Sequence, residues 1–225
     1  MKVILFGASG MVGQGVLREC LLDLEVERVL VIGRSTIGRT HPKLTERIVP
    51  DLFDLATLAA DLTGWDACYF CLGVSAAGMS EADYRHLTYD LTIGVATLLA
   101  KQNPGMTFIY VSGASTDSTE QGGMMWARVK GATENAILRL PFRAAYMFRP
   151  GLIQPMHGER SKTRAYRIAY FFLAPIIPIL RWLFPRLATT TERVGRAMLH
   201  VTKRGNPMPL VEHADINRLG QDAAP

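Results

Sequence analysis

In the stretch GGMMWARVKGATENAIL, residues 122–138, Trp126 stands four residues before Lys130. On a helix the two share a face, one turn apart. An indole N–H is a donor only and does not titrate in a useful range. It can hydrogen-bond a ligand oxygen without passing it a proton. A second chemistry-bearing stretch opens the chain. Gly7, Gly10 and Gly13 form GxxGxxG between the apolar run KVILF and VGQGVLRECLLDL, whose apolar residues fall near helical spacing. One glycine makes a tight turn, one lets backbone N–H groups approach a pyrophosphate, and one lets strand and helix pack closely. The loop residues Ser9, Met11 and Val12 then surround a phosphate at the positive end of the helix.

Arg34 ends a second apolar run, RVLVIGR, 21 residues after Gly13. A carboxylate at that place would hydrogen-bond the ribose hydroxyls of NAD. A guanidinium beside Gly33 and Ser35 suits a 2′-phosphate instead, so NADP(H) is expected over NAD(H). Asp51 and Leu52 are expected beside the adenine, and Cys71, Leu72 and Gly73 under the adenosine ribose.

Elements must position these residues. Short apolar runs predict strands at KVILF, RVLVIGR, RIVPDLFD (47–54), DACYFCLG (66–73), TFIYVSG (107–113) and AAYMFRPG (144–151). Helices are predicted after the glycine loop, over SEADYRHLTYDLTIGVATLLAK and around Lys130. Ser80 and Asp83 have capping-box-like spacing, and Tyr84, Leu87, Leu91, Val95 and Leu98 make one face of the middle helix. Strand and helix alternate six times, which predicts an α/β fold, a doubly wound parallel sheet with a small C-terminal cap. The dinucleotide-binding unit spans 1–155. Residues 156–225 form the cap, integrated with the same domain, with a helix at TERVGRAMLHV and a short strand at PLVEH.

These residues together resemble the short-chain dehydrogenase/reductase superfamily, in the extended or atypical NAD(P)-binding Rossmann branch that includes small reductase-like proteins. The resemblance runs through GASGMVG, DLFD, YVSGAS, the Lys130 helix and FRPG, and more loosely to TTTERVGRAMLHV. It implies a serine after the fifth strand that orients the substrate carbonyl, a tyrosine that transfers the proton, and a lysine that holds the nicotinamide ribose. Lys130 matches the lysine and Ser112 the serine, with Ser115 and Thr116 as alternatives. Pro150, Gly151 and Ile153 match the segment beside the nicotinamide carboxamide. Two positions depart: the tyrosine is Trp126, and an asparagine of the middle helix is Asp90. The catalytic set carried over is thus Ser112, Lys130 and Trp126, with proton transfer left to Tyr84, Tyr89, His86, Asp90 or Tyr166.

Composition narrows the remaining classes. Hydrophobic content of 48% against 20% charge suits a globular protein with a sizeable core, not a disordered chain. Three cysteines suggest no disulfide framework and a reducing, cytoplasmic compartment. Cys68 and Cys71 form CxxC, but within a strand they point to opposite faces, and no further ligands complete a metal site. The net charge of +5 is concentrated: residues 157–204 carry +8 and the remainder −3. No nucleic-acid-binding motif accompanies that charge, so nucleic acid is not expected as a partner. The segment 161–187 pairs arginines with an uncharged core of 12 residues broken by prolines, too short to span a membrane. It reads as a pocket lid, a homodimer surface or a peripheral membrane element. Two functions remain open: an NADP(H)-dependent oxidoreductase on a small apolar carbonyl or hydroxyl substrate, or a non-catalytic NADPH-binding regulator or scaffold.

Overall fold

Strand β1 (Lys2–Phe6) is apolar on both faces, with Val3 and Leu5 turned to one side and Ile4 and Phe6 to the other. Such a strand is stable only where both faces are covered, which calls for helices above and below a parallel sheet. The computed structural model, which describes residues 1–55, 58–159 and 188–221, has that architecture. In chain order β1 is followed by α1 (Met11–Leu22), β2 (Arg28–Gly33), β3 (Leu44–Ile48) and β4 (Ala67–Phe70). Then come α2 (Glu81–Arg85), a π-helical turn at His86–Asp90, α3 (Leu91–Gln102), β5 (Thr107–Val111) and α4 (Met125–Leu138). The rest is β6 (Ala144–Arg149), β7 (Leu152–Gln154), β8 (Ala188–Thr190), α5 (Thr191–Arg204), β9 (Leu210–Glu212) and α6 (His213–Gln221).

Seven strands form one parallel sheet in the order β3-β2-β1-β4-β5-β6-β9, and β7 and β8 form a parallel pair of their own. The chain thus shows the doubly wound fold that the alternation of apolar runs predicts. On the Val3 face, α1 supplies Val16, Leu17 and Cys20, and α5 supplies Val194, Met198 and Val201. On the Ile4 face, α3 supplies Val95 and Leu99, and α4 supplies Ile137. Full burial of each such side chain contributes about 1.5–3 kcal/mol. Residues 188–221 join this body: β9 pairs with β6, and α5 lies on the same core as α1.

Three sequence expectations need correction. The third strand is Leu44–Ile48 and not 47–54, because LTERI lies at the sheet edge, is only partly buried and lacks an apolar run. No helix separates β2 from β3, so strand and helix do not alternate throughout. The middle helix starts as expected, with the Ser80 hydroxyl accepting from the Asp83 N–H at 3.1 Å, but it passes through the π turn. That extra residue rephases its buried face, so that Thr88 and Thr92 lie inside with Leu91 and Val95. Among the described residues, no helix is long and apolar enough to cross a membrane.

Candidate functional site

The strand order reverses between β1 and β4, and the carboxyl ends of these strands open into a cleft of about 850 Å³. Open α/β sheets take ligands at this point. The turn after β1 forms one wall. Gly7 has a left-handed backbone, φ +79°, and a Cβ there would stand 2.6 Å from the Cys71 backbone. Gly10 donates its N–H to the Gly7 carbonyl at 2.9 Å. A Cβ on Gly13 would stand 2.1 Å from the same carbonyl, so only glycine lets α1 start this close to β1. Gly10 caps α1 without a side chain, and the first turn carries no acidic residue. Its N–H groups and the positive helix end are therefore left for an anion in the cleft.

The predicted cofactor residues converge here. Ser9, Gly10, Met11 and Val12 line the cleft beside Gly7. Arg34 enters from the end of β2, Asp51 and Leu52 from the turn after β3, and Cys71, Leu72 and Gly73 from the end of β4. Lys130 comes from α4, Pro150 and Gly151 follow β6, and Ile153 belongs to β7. Gly13 is the exception. It is buried behind the turn, and its role is the close approach just described rather than ligand contact. Arg34 is exposed and has no ion-pair or hydrogen-bond partner among the described residues, so its guanidinium is available at the rim.

At the other end, the Lys130 ammonium donates to the Ser112 carbonyl. Burial pulls its pKa down to about 8, against the opposing pull of Glu134. Glu134, one turn further along α4, is wholly buried. Its carboxylate accepts from Arg149 Nε at 3.0 Å and from Arg149 Nη2, and the Ser112 hydroxyl donates to it as well. Arg149 also reaches Glu212 at 3.2 Å and the Ser118 hydroxyl. This network ties the ends of β5, β6 and β9 to α4, directly behind Lys130.

The carried-over catalytic residues fare differently. Of Ser112, Ser115 and Thr116, only Ser112 lines the cleft. Its hydroxyl is committed to Glu134 and to the Phe148 carbonyl, at 3.2 Å. Thr116 donates to the Gly113 carbonyl at 2.7 Å. Trp126 lies in the first turn of α4 (Met125–Leu138), half-buried, and is not among the described side chains that line the cleft. None of Tyr84, His86, Tyr89 and Asp90 lines the cleft either. Tyr84 is buried, the Arg85 guanidinium covers the Tyr89 ring, and His86 pairs with Asp90 at 3.2 Å while stacking on Phe53. Tyr166 and the basic, apolar segment 161–187 lie outside the described residues.

Sequence reasoning missed Phe53 and Val74, apolar side chains that line the cleft and stay exposed. It also read Leu87 and Leu91 as packing residues, whereas both reach the cleft. Cys68 and Cys71 behave as expected, packing on opposite faces of the sheet as free thiols.

No family model matches the chain. It is 29% identical over 207 residues to the protein fmp52, mitochondrial, of Emericella nidulans, covering 88% of this chain and 86% of that one. With its Aspergillus fumigatus counterpart it shares 30% identity over 182 residues, covering 78% and 75% of the two chains. The chain belongs to the fmp52 family. The name fmp52 carries the word mitochondrial in these relatives and in that of Chaetomium globosum, which is 26% identical over 97% of this chain. The cytoplasmic location expected from the cysteines is overturned by that finding. A reducing environment, which is all that unpaired cysteines report, is not unique to one compartment.

Solved structures share the fold. The Bordetella bronchiseptica enzyme WbmF, in complex with NAD+, superposes with a TM-score of 0.69 at 15% identity, covering 99% of this chain and 77% of that one. A short-chain dehydrogenase/reductase family oxidoreductase from Burkholderia thailandensis gives 0.68 at 15% identity, covering 96% and 92%. A short-chain dehydrogenase family protein from Francisella tularensis gives 0.69 at 13%, covering 95% and 98%. The Rossmann fold of the short-chain dehydrogenases, expected from the motifs, is therefore that of this chain.

Proposed function

We propose that this chain is an NADP(H)-dependent oxidoreductase acting on a small, fairly apolar carbonyl or hydroxyl substrate, in the mitochondrion as its relatives' names state. The observation that carries the reading is the glycine cradle, where a Cβ on Gly7 or Gly13 would collide with backbone at 2.6 or 2.1 Å. Space that only glycine leaves, beside an uncapped helix start, fits a pyrophosphate. The structural neighbour WbmF is described in complex with NAD+, and its fold superposes with a TM-score of 0.69.

The remaining residues take roles along the same cleft. Arg34, unpaired among the described residues, suits a 2′-phosphate at the rim, and Asp51 and Leu52 flank the adenine. Lys130 holds the nicotinamide ribose, while Pro150, Gly151 and Ile153 border the carboxamide. A bound nicotinamide supplies or accepts a hydride; the protein supplies orientation, a charged rim and an apolar wall.

The second reading, a non-catalytic NADPH-binding regulator or scaffold, is favoured by one observation: no phenol lines the cleft among the described residues, and Trp126 stands outside it. Steady-state NADPH oxidation with a panel of aliphatic and aromatic aldehydes and ketones separates the two. Turnover with any of them supports the oxidoreductase. Tight NADPH binding with no turnover, in both the wild type and Trp126→Tyr, supports the regulator.

A further inference from the structure

We propose that Lys130 is itself the proton carrier of this cleft, its Nζ giving a proton to a substrate carbonyl oxygen or taking one from a substrate hydroxyl. The inference rests on the oxidoreductase reading. Among the described residues, the titratable groups that line the cleft are Arg34, Asp51, Cys71 and Lys130. Strand order separates them. Arg34 and Asp51 stand after β2 and β3, on one side of the glycine turn, whereas Lys130 bonds the residue after β5, on the other. With the pyrophosphate at the glycine turn and the 2′-phosphate at Arg34, as proposed above, the other end of the dinucleotide extends toward Lys130, on the side of Pro150 and Gly151. Cys71 sits between, and burial pushes its thiol well up, which leaves it protonated.

The amine has the equipment for this task. An ammonium has three donors, and the one hydrogen bond of Lys130 among the described residues goes to the Ser112 carbonyl. Two N–H groups remain for ligand oxygens. The carboxylate nearest along its helix, Glu134, is engaged by Arg149 and Ser112 and makes no hydrogen bond to the amine. Several charged groups of α4 and of the elements packed against it are engaged elsewhere. Arg128 pairs with Glu81 at 2.7 Å, and His86 pairs with Asp90. Tyr84 and Tyr110 are buried, with the Tyr110 phenol pushed up by that burial. In the unliganded fold burial lowers the amine's pKa to about 8, so its proton exchanges far more readily than that of a free lysine.

The step balances. Hydride would reach the carbonyl carbon from a reduced nicotinamide bound in the cleft, and Lys130 would supply the proton. The C=O π pair moves to oxygen, the N–H bond of the Lys130 ammonium breaks, and an O–H bond forms. The products are the alcohol, the oxidised dinucleotide and a neutral amine, which regains its proton from solvent in the open cleft. Trp126 takes no part in the transfer, since an indole has no proton to give in this range.

The test compares wild type with Lys130→Arg, a variant that keeps a cation and donors but cannot lose its proton. NADPH binding by calorimetry comes first, and a wild type that binds no dinucleotide overturns the oxidoreductase reading as a whole. NMR of protein labelled at lysine Cε follows, with the Lys130 signal identified by its loss in the variant. A midpoint near 8 is expected for that signal. Lys130→Arg keeps a cation and is expected to retain measurable NADPH binding, and to lose about a hundredfold or more in turnover at saturating NADPH. Three results overturn the proposal while leaving dinucleotide binding intact. They are an amine that titrates at about 10.4 like a free lysine, a variant turning over within about threefold of wild type, and a wild type that oxidises bound NADPH with no carbonyl compound.

Discussion

Replacing Glu134 by glutamine isolates the network behind Lys130. Glu134 is wholly buried and the Arg149 side chain is 10% exposed, so the variant leaves a guanidinium inside without the carboxylate that accepts from it twice. Breaking a buried pair by removing one partner costs about 3–5 kcal/mol. Arg149 keeps Glu212 at 3.2 Å and the Ser118 hydroxyl, which places the loss at the lower end, about 3 kcal/mol. For a domain of this size that lowers Tm by about 6–12 °C. Glu212→Gln is the internal control. Its side chain is 46% exposed, and an exposed partner contributes about 1 kcal/mol or less. Urea denaturation with a common m-value, supported by thermal melts, reads both variants. A loss below about 1 kcal/mol for Glu134→Gln, or equal losses for the two variants, would refute the view that a buried charge pair anchors this end of the cleft.

Further outcomes follow from other contacts. Gly13→Ala is expected to abolish dinucleotide binding and to destabilise the fold, because its Cβ would meet the Gly7 carbonyl at 2.1 Å; calorimetry and melting read the two effects. Ser80→Ala removes the hydroxyl that accepts from the Asp83 N–H at 3.1 Å and is expected to cost about 1 kcal/mol in urea denaturation, with NADPH affinity unchanged. A pH dependence follows from Lys130. Its folded pKa is lowered from 10.5 to about 8, so the charged amine is disfavoured in the unliganded fold, and an anionic dinucleotide favours it again. Binding therefore takes up a proton above pH 8, and NADPH affinity falls by up to about tenfold per pH unit there. Calorimetry across pH 7–9.5 checks it: Lys130→Arg is expected to flatten the slope, and a flat wild-type profile contradicts the assignment.

Where the determinants are local, the sequence was readable. The KVILF run, the three glycines and the helix after them specify each other over a dozen residues, and each falls where it was expected. So does the cap at Ser80. Features set by distant partners were not readable. β3 is polar because an edge strand has one neighbour and needs little apolar surface, so its apolar flank at 47–54 misled the boundary. The π turn at His86–Asp90 leaves no local signature, yet it accompanies the arrival of Leu87 and Leu91 at the cleft. The Glu134–Arg149 pair joins a helix to a strand and has no spacing by which to find it. Helix α6 was missed because HADINRLGQ is short and mostly polar, with Ile216 and Leu219 supplying its buried side. The resemblance assigned Lys130 and Trp126 to one site; Lys130 lines the cleft and Trp126, one turn away on the same helix face, does not. A common helix face does not ensure a common pocket.

The most direct measurement is a calorimetric titration of the protein with NADPH, NADH and NADP+, repeated on Arg34→Ala. The account predicts one site, tighter for the phosphorylated dinucleotides. In the variant that preference falls by about 10–100-fold, the worth of a charge-assisted hydrogen bond to phosphate, while NADH affinity hardly changes. Absence of binding by all three would contradict the central claim that the glycine turn cradles a dinucleotide.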